Sequence, residues 1–292
     1  MLTVEFFDDP AAFLAAGEEY LAARPVESNV VTVYADRDAH QGVEPTPFHW
    51  YALVRDGDQV VGGAMRTAPF APHPLFVLPM PDDAALALAR ALRERAEHPG
   101  GANGALPAAR LVAEESARLW GGRVETARDS RLWVLRDLIP PTGVVGEARL
   151  GEMRDAELCR RWFNDFDRAS REQAGHETGA HEDVVHTPED IKRRIEAKRL
   201  VVWEVDGEVV HLTGFNYPVL GYGRVGPVYT PDEHRGHGYA SACVAEASRL
   251  IREAGGEACL FTDVDNPVSN RIYAALGYEP VIDMADHLLL PA

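Results

Sequence analysis

The sequence predicts a mixed α/β fold in two domains of similar plan. A chain of 292 residues suggests about two domains, each large enough to bury its own core. The pairs Asp56-Gly57 and Asp206-Gly207 each separate two strand-like segments and predict hairpins 150 residues apart. Helix, glycine and strand patterns recur around Gly122 and Gly277, 155 residues apart. Two features that recur in the same order at nearly one offset indicate a diverged internal duplication.

The first half predicts alternating helices and strands. Asp9-Pro10 suits the start of a helix, because proline is tolerated in a first turn. The β-branched run Asn29–Tyr34 predicts a strand. The other elements predicted here are hairpin strands over 50–55 and 59–64, helices over 82–97 and 107–120, and a strand over 131–136.

A proline-rich segment predicts the boundary between the two domains. The run Ile139-Pro140-Pro141-Thr142-Gly143 interrupts every regular pattern, so we expect domains over 1–140 and 147–292. In the second domain, Thr187-Pro188-Glu189-Asp190 is a typical N-cap signature. The elements predicted after the boundary are helices over 155–166, 187–199 and 268–276, and strands over 200–205, 209–215 and 258–262.

Composition excludes several classes of protein. The chain has 29 basic and 46 acidic residues, and its formal charge of −17 repels nucleic acids and anionic membranes. No apolar run approaches the roughly 18 residues needed to span a bilayer. Residues 1–10 contain three acidic and no basic residues, so we expect no secretory signal. Three cysteines without a C-x-x-C pair argue against a disulfide framework, and we expect a reducing cytoplasm.

The stretch 224–240 carries the main functional signal. A short strand ends at Thr230-Pro231, a loop with Gly236 and Gly238 follows, and a helical pattern starts at Tyr239. This order directs free backbone N–H groups and a positive helix end at an anion. The glycines also allow the backbone to approach a ligand closely. We expect the ligand to carry a phosphate group.

A second stretch follows one helix and one strand later. A predicted strand over 258–262 leads through a turn to a helix with the sequence NPVSNRIYAALGY, from Asn266 to Tyr278. Gly277 suits the left-handed residue that ends a helix.

Together the two stretches resemble the GNAT superfamily of N-acetyltransferases. Residues 233–238, EHRGHG, resemble its diphosphate loop Q/R-x-x-G-x-G/A, although Glu233 replaces Gln or Arg. Residues 266–278 resemble its N-x-x-A-x-x-L-Y-x-x-x-G-F/Y pattern, with Ser269 and Ile272 as departures. The resemblance covers residues 148–290. The first half has no such loop, because residues 72–83 are rich in proline and contain no glycine. We therefore expect a degenerate GNAT-like domain there, without a donor site.

The resemblance implies the fold and the donor. Each domain would be a mixed, mostly antiparallel sheet flanked by helices, with splayed central strands in the C-terminal one. The co-substrate would be acetyl-CoA, whose pantetheine arm would pair with main-chain groups of Val228, Tyr229 and Thr230. The diphosphate would be held by His234, Arg235, Gly236, His237, Gly238, Tyr239 and Ala240. CoA is anionic and the net charge of the chain is negative, so basic side chains near the loop would have to attract it. These are His234, Arg235 and His237, together with Arg224 and Arg271.

The resemblance also implies the catalytic residues. Tyr273 would protonate the leaving thiolate, and its alternative role is a core aromatic. Asn266 and Asn270 would either bond pantetheine amides or cap the helix. Glu172 and His176 are candidate bases, because the connection between the first two helices borders the acceptor site in GNAT folds.

Histidine spacing argues against a metal site. His176, His181 and His186 recur every five residues, which would splay them around a helix instead of placing them on one face. We expect no metal.

The sequence thus predicts an acetyl-CoA-dependent N-acetyltransferase acting on a small amine by direct attack. A non-catalytic acyl-CoA-binding or interaction protein, and a protein N-acetyltransferase, are the alternatives. The acceptor stays open among amine antibiotics, amino acids, polyamines and protein amines.

Overall fold

The computed structural model describes residues 1–41, 48–68, 71–175 and 185–292. Packing divides these residues into two compact units. Unit 1 comprises Met1–Arg131 together with Ile282–Ala292, and unit 2 comprises the described residues between 132 and 281. Within the described ranges, no helix is both long and apolar enough to cross a bilayer.

The same order of elements occurs twice along the chain. The first set is β1 (Leu2–Phe7), α1 (Pro10–Ala23), α2 (Asn29–Gln41), β2 (Trp50–Asp56), β3 (Gln59–Arg66), β4 (Leu75–Val77), α3 (Asp82–Glu94), β5 (Gly101–Ala105), α4 (Ala108–Trp120) and β6 (Gly122–Leu135). The second set is β7 (Glu147–Leu150), α5 (Ala156–Ala174), α6 (Pro188–Glu196), β8 (Leu200–Val205), β9 (Glu208–Phe215), β10 (Tyr222–Tyr229), α7 (Tyr239–Glu253), β11 (Glu257–Asp263), α8 (Pro267–Ala275) and β12 (Tyr278–Pro291). Short 3-10 helices precede α5 and α7, over Met153–Asp155 and Asp232–His234.

Each unit contains a mixed sheet with a single parallel strand pair among its described pairings. In unit 1 the order is β1-β2-β3-β4-β5-β12, and only β4 and β5 are parallel. In unit 2 the order is β11-β10-β9-β8-β7, and only β10 and β11 are parallel. The prediction of mixed, mostly antiparallel sheets flanked by helices is therefore confirmed.

The two predicted Asp-Gly hairpins are present. Strands β2 and β3 join through the turn at Gly57, where φ is +58°, and β8 and β9 through the turn at Gly207, where φ is +84°. Both ladders carry a register shift shortly before the turn, after Val54 in one and after Trp203 in the other. The turn glycines lie 150 residues apart and the shifts 149, and this recurrence at nearly one offset supports the internal duplication.

The predicted strand over Asn29–Tyr34 is wrong, because these residues open α2. Val31, Ala35 and Asp38 are all buried and lie at helical spacing along one face. Thr32 adapts to the helix by placing its hydroxyl 3.2 Å from the carbonyl oxygen of Ser28. Burial of one helical face outweighs the weak β preference of branched residues.

The cores explain which helices are fixed in place. In unit 1, α3 and α4 pack on the sheet through alanine and leucine side chains such as Ala85, Leu88 and Leu92. In unit 2, α7 packs through Cys243, Val244, Ala247 and Ile251 against the sheet, chiefly β8, β9, β10 and β11. A second cluster holds α5 and α6 against β8 and β9.

Candidate functional site

Strands β10 and β11 separate partway along their length and leave an open slot in unit 2. They pair only where Tyr222–Arg224 faces Glu257–Cys259. Beyond this point, β10 continues to pair with β9 as far as Tyr229. The other edge of β10 therefore keeps main-chain groups without a strand partner. The splayed central strands predicted for the second domain are confirmed.

A bulge bends the end of β10 at this slot. The register with β9 shifts between Val225 and Val228, and the intervening Gly226–Pro227 peptide bond is cis. Gly214 on β9 is required at the bulge, because a Cβ there would lie 2.8 Å from the carbonyl oxygen of Gly226. Bulges bend the strand that carries them and leave a residue unpaired. Val228 and Tyr229 therefore lie in the segment that the slot exposes.

The glycine loop leaves the start of α7 open. Gly236 and Gly238 both have φ of +83°, a conformation that favours glycine. Gly238 is the N-cap of α7, and no side chain caps the helix. The first N–H groups of α7, from Tyr239 and Ala240 onward, therefore have no intrahelical acceptor. A Cβ at Gly236 would meet nothing within 4 Å, so the loop backbone faces open space. This geometry suits an anion.

Arg235 ties the loop to the end of β10. Its Nε donates to the carbonyl oxygen of Thr230 at 3.2 Å, and its Nη2 lies 2.7 Å from Asp232 Oδ1. The ring of His237 stacks on Tyr239 with centroids 5.3 Å apart. His234 lies 3.7 Å from the carboxylate of Glu208. These contacts hold the loop in shape before any ligand binds.

Arg224 does not belong to this group of side chains. It pairs opposite Cys259 at the closed end of the slot. Tyr229 is five positions further along the strand, which at about 3.3 Å per residue is a distance of roughly 16 Å. The expectation that Arg224 supports the loop is wrong.

Asn266 and Asn270 lie at the start of α8. Asn266 is the N-cap: its Oδ1 accepts from Ser269 N at 3.1 Å, and its Nδ2 donates to Gln173 Oε1 at 3.3 Å. The Nδ2 of Asn270 donates to two main-chain carbonyl oxygens of the preceding turn, but its Oδ1 is buried and has no partner among the described residues. Asn266 therefore caps α8, whereas the Oδ1 of Asn270 accepts no hydrogen bond from the described residues.

Tyr273 is buried in the core of unit 2, one turn further along α8. It meets Tyr278 edge-on, with ring centroids 5.9 Å apart. Burial raises the pKa of Tyr273 well above its ordinary value. In contrast to Tyr278, whose hydroxyl lies 2.7 Å from Ser248 Oγ, the Tyr273 hydroxyl has no hydrogen-bond partner among the described residues. The Tyr273 hydroxyl is therefore protonated at neutral pH and free of hydrogen bonds to the described residues.

Glu172 lies in the last turn of α5. Its Oε1 is 3.1 Å from Arg168 Nη1, so one carboxylate oxygen is already paired with an arginine. The neighbouring Gln173 contacts Asn266, which brings the end of α5 to the start of α8. The predicted base His176, with His181, lies outside the described residues. Among the described residues, no group of three metal-ligating side chains is placed to hold an ion.

His211 contacts the site and was missed by the sequence analysis. This fully buried side chain on β9 lies with its Nδ1 2.6 Å from Thr230 Oγ1. Burial lowers its pKa to about 3, so the ring is neutral. A histidine in the middle of the strand EVVHLTGF was the one available signal, because a polar group in a buried strand requires a partner.

The equivalent region of unit 1 is built differently. All three residues of β4 pair with β5, from Leu75 opposite Ala102 to Val77 opposite Gly104, and β4 ends there, whereas β10 runs five residues past its own pairing with β11. The helix that follows, α3, begins after Pro81 and carries Asp82 and Asp83 in its first turn. Two carboxylates at a helix N-terminus repel a phosphate from the place where it would bind. The Met80 side chain, just before α3, packs against Gly62 on β3, where an added Cβ would lie 2.6 Å from the Cβ of Met80.

The fold is that of the GCN5-related N-acetyltransferases, present in tandem. A protein of Drosophila aligns over 99% of this chain and 98% of its own, with 12% identity and a TM-score of 0.68. A GCN5-related N-acetyltransferase from Sphaerobacter thermophilus aligns over 98% of this chain and 94% of its own, with 16% identity and a TM-score of 0.60. A tandem GNAT protein from the clavulanic acid biosynthesis pathway aligns over 98% of both chains, with 15% identity and a TM-score of 0.56. At these identities the likeness establishes the fold.

The sequence comparison locates the family signal in unit 2. Residues 217–285 match the model of the family described as FR47-like protein. This range contains the bulged strand, the glycine loop, α7 and α8. No curated protein sequence matches the chain significantly. The predicted resemblance to the GNAT superfamily is confirmed.

Proposed function

We propose that this protein is an acetyl-CoA-dependent N-acetyltransferase that acetylates the amine of a small molecule at the slot of unit 2. One observation carries the proposal: an open strand pair leads directly into an uncapped helix start with two left-handed glycines. These features offer main-chain groups to an amide-bearing arm and N–H groups to a diphosphate. Unit 1 keeps the fold and lacks both features.

The residues present suit acetyl-CoA as the donor. The loop backbone at Gly236 faces open space, so phosphate oxygens can approach its N–H groups. The unpartnered Oδ1 of Asn270 is an acceptor for an amide N–H of the pantetheine arm. The exposed edge of β10 at Val228, Tyr229 and Thr230 supplies the strand-like pairing, although the Thr230 carbonyl is already held by Arg235.

The proposed reaction is direct attack by the amine nitrogen on the acyl carbonyl carbon. A main-chain N–H at the bulged end of β10 stabilises the oxyanion that forms. When the C–S bond breaks, the thiolate takes a proton from the Tyr273 hydroxyl, which is protonated at neutral pH, and a proton from solvent restores the hydroxyl before the next turnover. The proton lost by the amine passes to a base at the acceptor side, for which Glu172 and His176 are the candidates.

An acceptor screen tests this function. Purified protein is supplied with acetyl-CoA and separate panels of amino acids, polyamines, aminoglycoside-type amines and peptides, and free thiol is measured. Release of thiol that depends on a small amine supports the proposal. Turnover with peptides alone supports a protein N-acetyltransferase. Tight acetyl-CoA binding without turnover on any panel supports the non-catalytic alternative.

A further inference from the structure

His211 is a buried polar side chain held by hydrogen bonds at both ring nitrogens. Its Nδ1 lies 2.6 Å from Thr230 Oγ1, and its Nε2 lies 2.8 Å from Thr213 Oγ1. A neutral imidazole has one donor and one acceptor nitrogen, and a hydroxyl can serve either. The ring is therefore satisfied without being charged, and it links β9 to the end of β10.

Thr230 is consequently held from two directions. Its hydroxyl meets His211, and its carbonyl oxygen accepts from Arg235 Nε at 3.2 Å. Thr230 is the first residue after β10 and lies six positions before Gly236. A rotation of the Thr230 backbone would move the start of the glycine loop relative to the slot. The contacts with His211 and Arg235 therefore fix the position of the loop relative to the slot.

The chemistry of His211 excludes a second role as a base. Burial lowers its pKa to about 3, so at neutral pH the ring does not take up a proton from an ammonium group. Its remaining capacity is geometric, because its Nδ1 holds the hydroxyl of Thr230 at 2.6 Å.

We propose that His211 is a positioning residue for the donor loop, acting through the Thr230 hydroxyl. The inference rests on the proposed function, since it assigns His211 to acetyl-CoA binding. Loss of the His211–Thr230 bond frees the end of β10 and leaves a polar group without its partner. Donor affinity then falls, whereas kcat, which depends on Tyr273, on the acceptor-side base and on the main-chain N–H at the bulge, changes less.

Four variants test the proposal. Thr230→Val keeps the side-chain shape and removes the hydroxyl, and His211→Phe keeps a ring and removes both nitrogens. Thr230→Ser retains the hydroxyl and serves as the rescue. Thr213→Val is the matched control, because it removes the other hydrogen bond of the same ring and leaves Thr230 in contact. The measurements are the Kd for acetyl-CoA by calorimetry, kcat at saturating donor, and Tm.

The expected result is a Kd raised about tenfold in Thr230→Val and in His211→Phe, with kcat changed by less than about threefold. Thr213→Val keeps the wild-type Kd but lowers Tm, and Thr230→Ser recovers most of the affinity lost in Thr230→Val. The double variant His211→Phe with Thr230→Val shows no further loss, since one shared contact has been removed.

A folded Thr230→Val protein with unchanged Kd overturns the proposal, as does an equal rise in Kd in Thr213→Val. If His211→Phe does not fold, the comparison of Thr230→Val with Thr230→Ser decides alone. Wild-type protein that does not bind acetyl-CoA overturns the proposed function itself, which distinguishes the two failures.

Discussion

The side-chain nitrogen of Asn270 donates to the main-chain carbonyl oxygen of Val264 at 3.0 Å. A second bond runs from the same nitrogen to the carbonyl of Asp263 at 3.2 Å. Because two carbonyls fix the nitrogen, the amide cannot be reversed, and Oδ1 is the atom left buried without a described partner. The turn between β11 and α8 thus fixes the direction of this buried acceptor atom.

Replacing Asn270 with Ala should weaken acetyl-CoA binding roughly tenfold, because the acceptor for a donor amide is removed. Calorimetry measures the Kd, and circular dichroism checks the fold. Ser269→Ala is the control, since it removes a neighbouring hydrogen bond to the Asn266 carbonyl on the same helix and should not change Kd. Equal Kd values in wild type and Asn270→Ala would assign Asn270 to the turn alone.

Replacing Tyr273 with Phe should lower kcat by about 10²-fold or more with little change in donor binding. The ring still packs against Tyr278, so stability should be nearly unchanged. Steady-state kinetics with the acceptor found in the screen measures the effect. Wild-type turnover in this variant would return Tyr273 to the role of a core aromatic.

The pH profile of kcat offers an independent check on Tyr273. A tyrosine at its ordinary pKa of about 10 would ionise and stop donating as pH approaches that value. Burial raises the pKa of Tyr273, so the protonated form persists and kcat should not fall between pH 9 and about 10. A falling limb in that window that is absent from Tyr273→Phe would contradict the account.

Replacing Gly236 with Val should abolish measurable acetyl-CoA binding while the protein remains folded. The new side chain would fill the open space over the loop backbone that we assign to the diphosphate. Gly207→Val is a close control, because Gly207 has φ of +84° against +83° for Gly236, and its Cβ would also meet nothing within 4 Å. Both variants carry the same backbone strain. An equal loss of affinity in the two would mean that strain, not obstruction of the loop, is responsible.

The parts of the fold with strong local signals could be predicted from the sequence. The Asp206-Gly207 turn, the N-cap Thr187 and the glycine loop each depend on residues adjacent in the chain. The run Asn29–Tyr34 could not be assigned, because its helix is stabilised by burial of Val31 and Ala35, which depends on how α2 packs, chiefly against α1. His211 was missed because its partner Thr230 lies 19 residues away, just after the next strand.

The charges of the site show a second limit of sequence reasoning. Proximity in the chain suggested that Arg224 would support the loop, but an extended strand carries it to the opposite end of the slot. Arg235 was predicted as a ligand contact, and the structure shows it bonded to Thr230 and Asp232. The role of a charged side chain depends on which atoms it contacts in the folded protein, and a sequence motif does not specify those contacts.

The number of acetyl-CoA molecules bound per chain tests the central claim most directly. Unit 2 has the open slot and the uncapped α7, whereas β4 is fully paired and α3 begins with Asp82 and Asp83. Calorimetric titration of the intact protein should therefore give one site per chain, and Gly236→Val should remove it. Two equivalent sites, or one site that survives in Gly236→Val, would contradict the assignment of the donor site to unit 2.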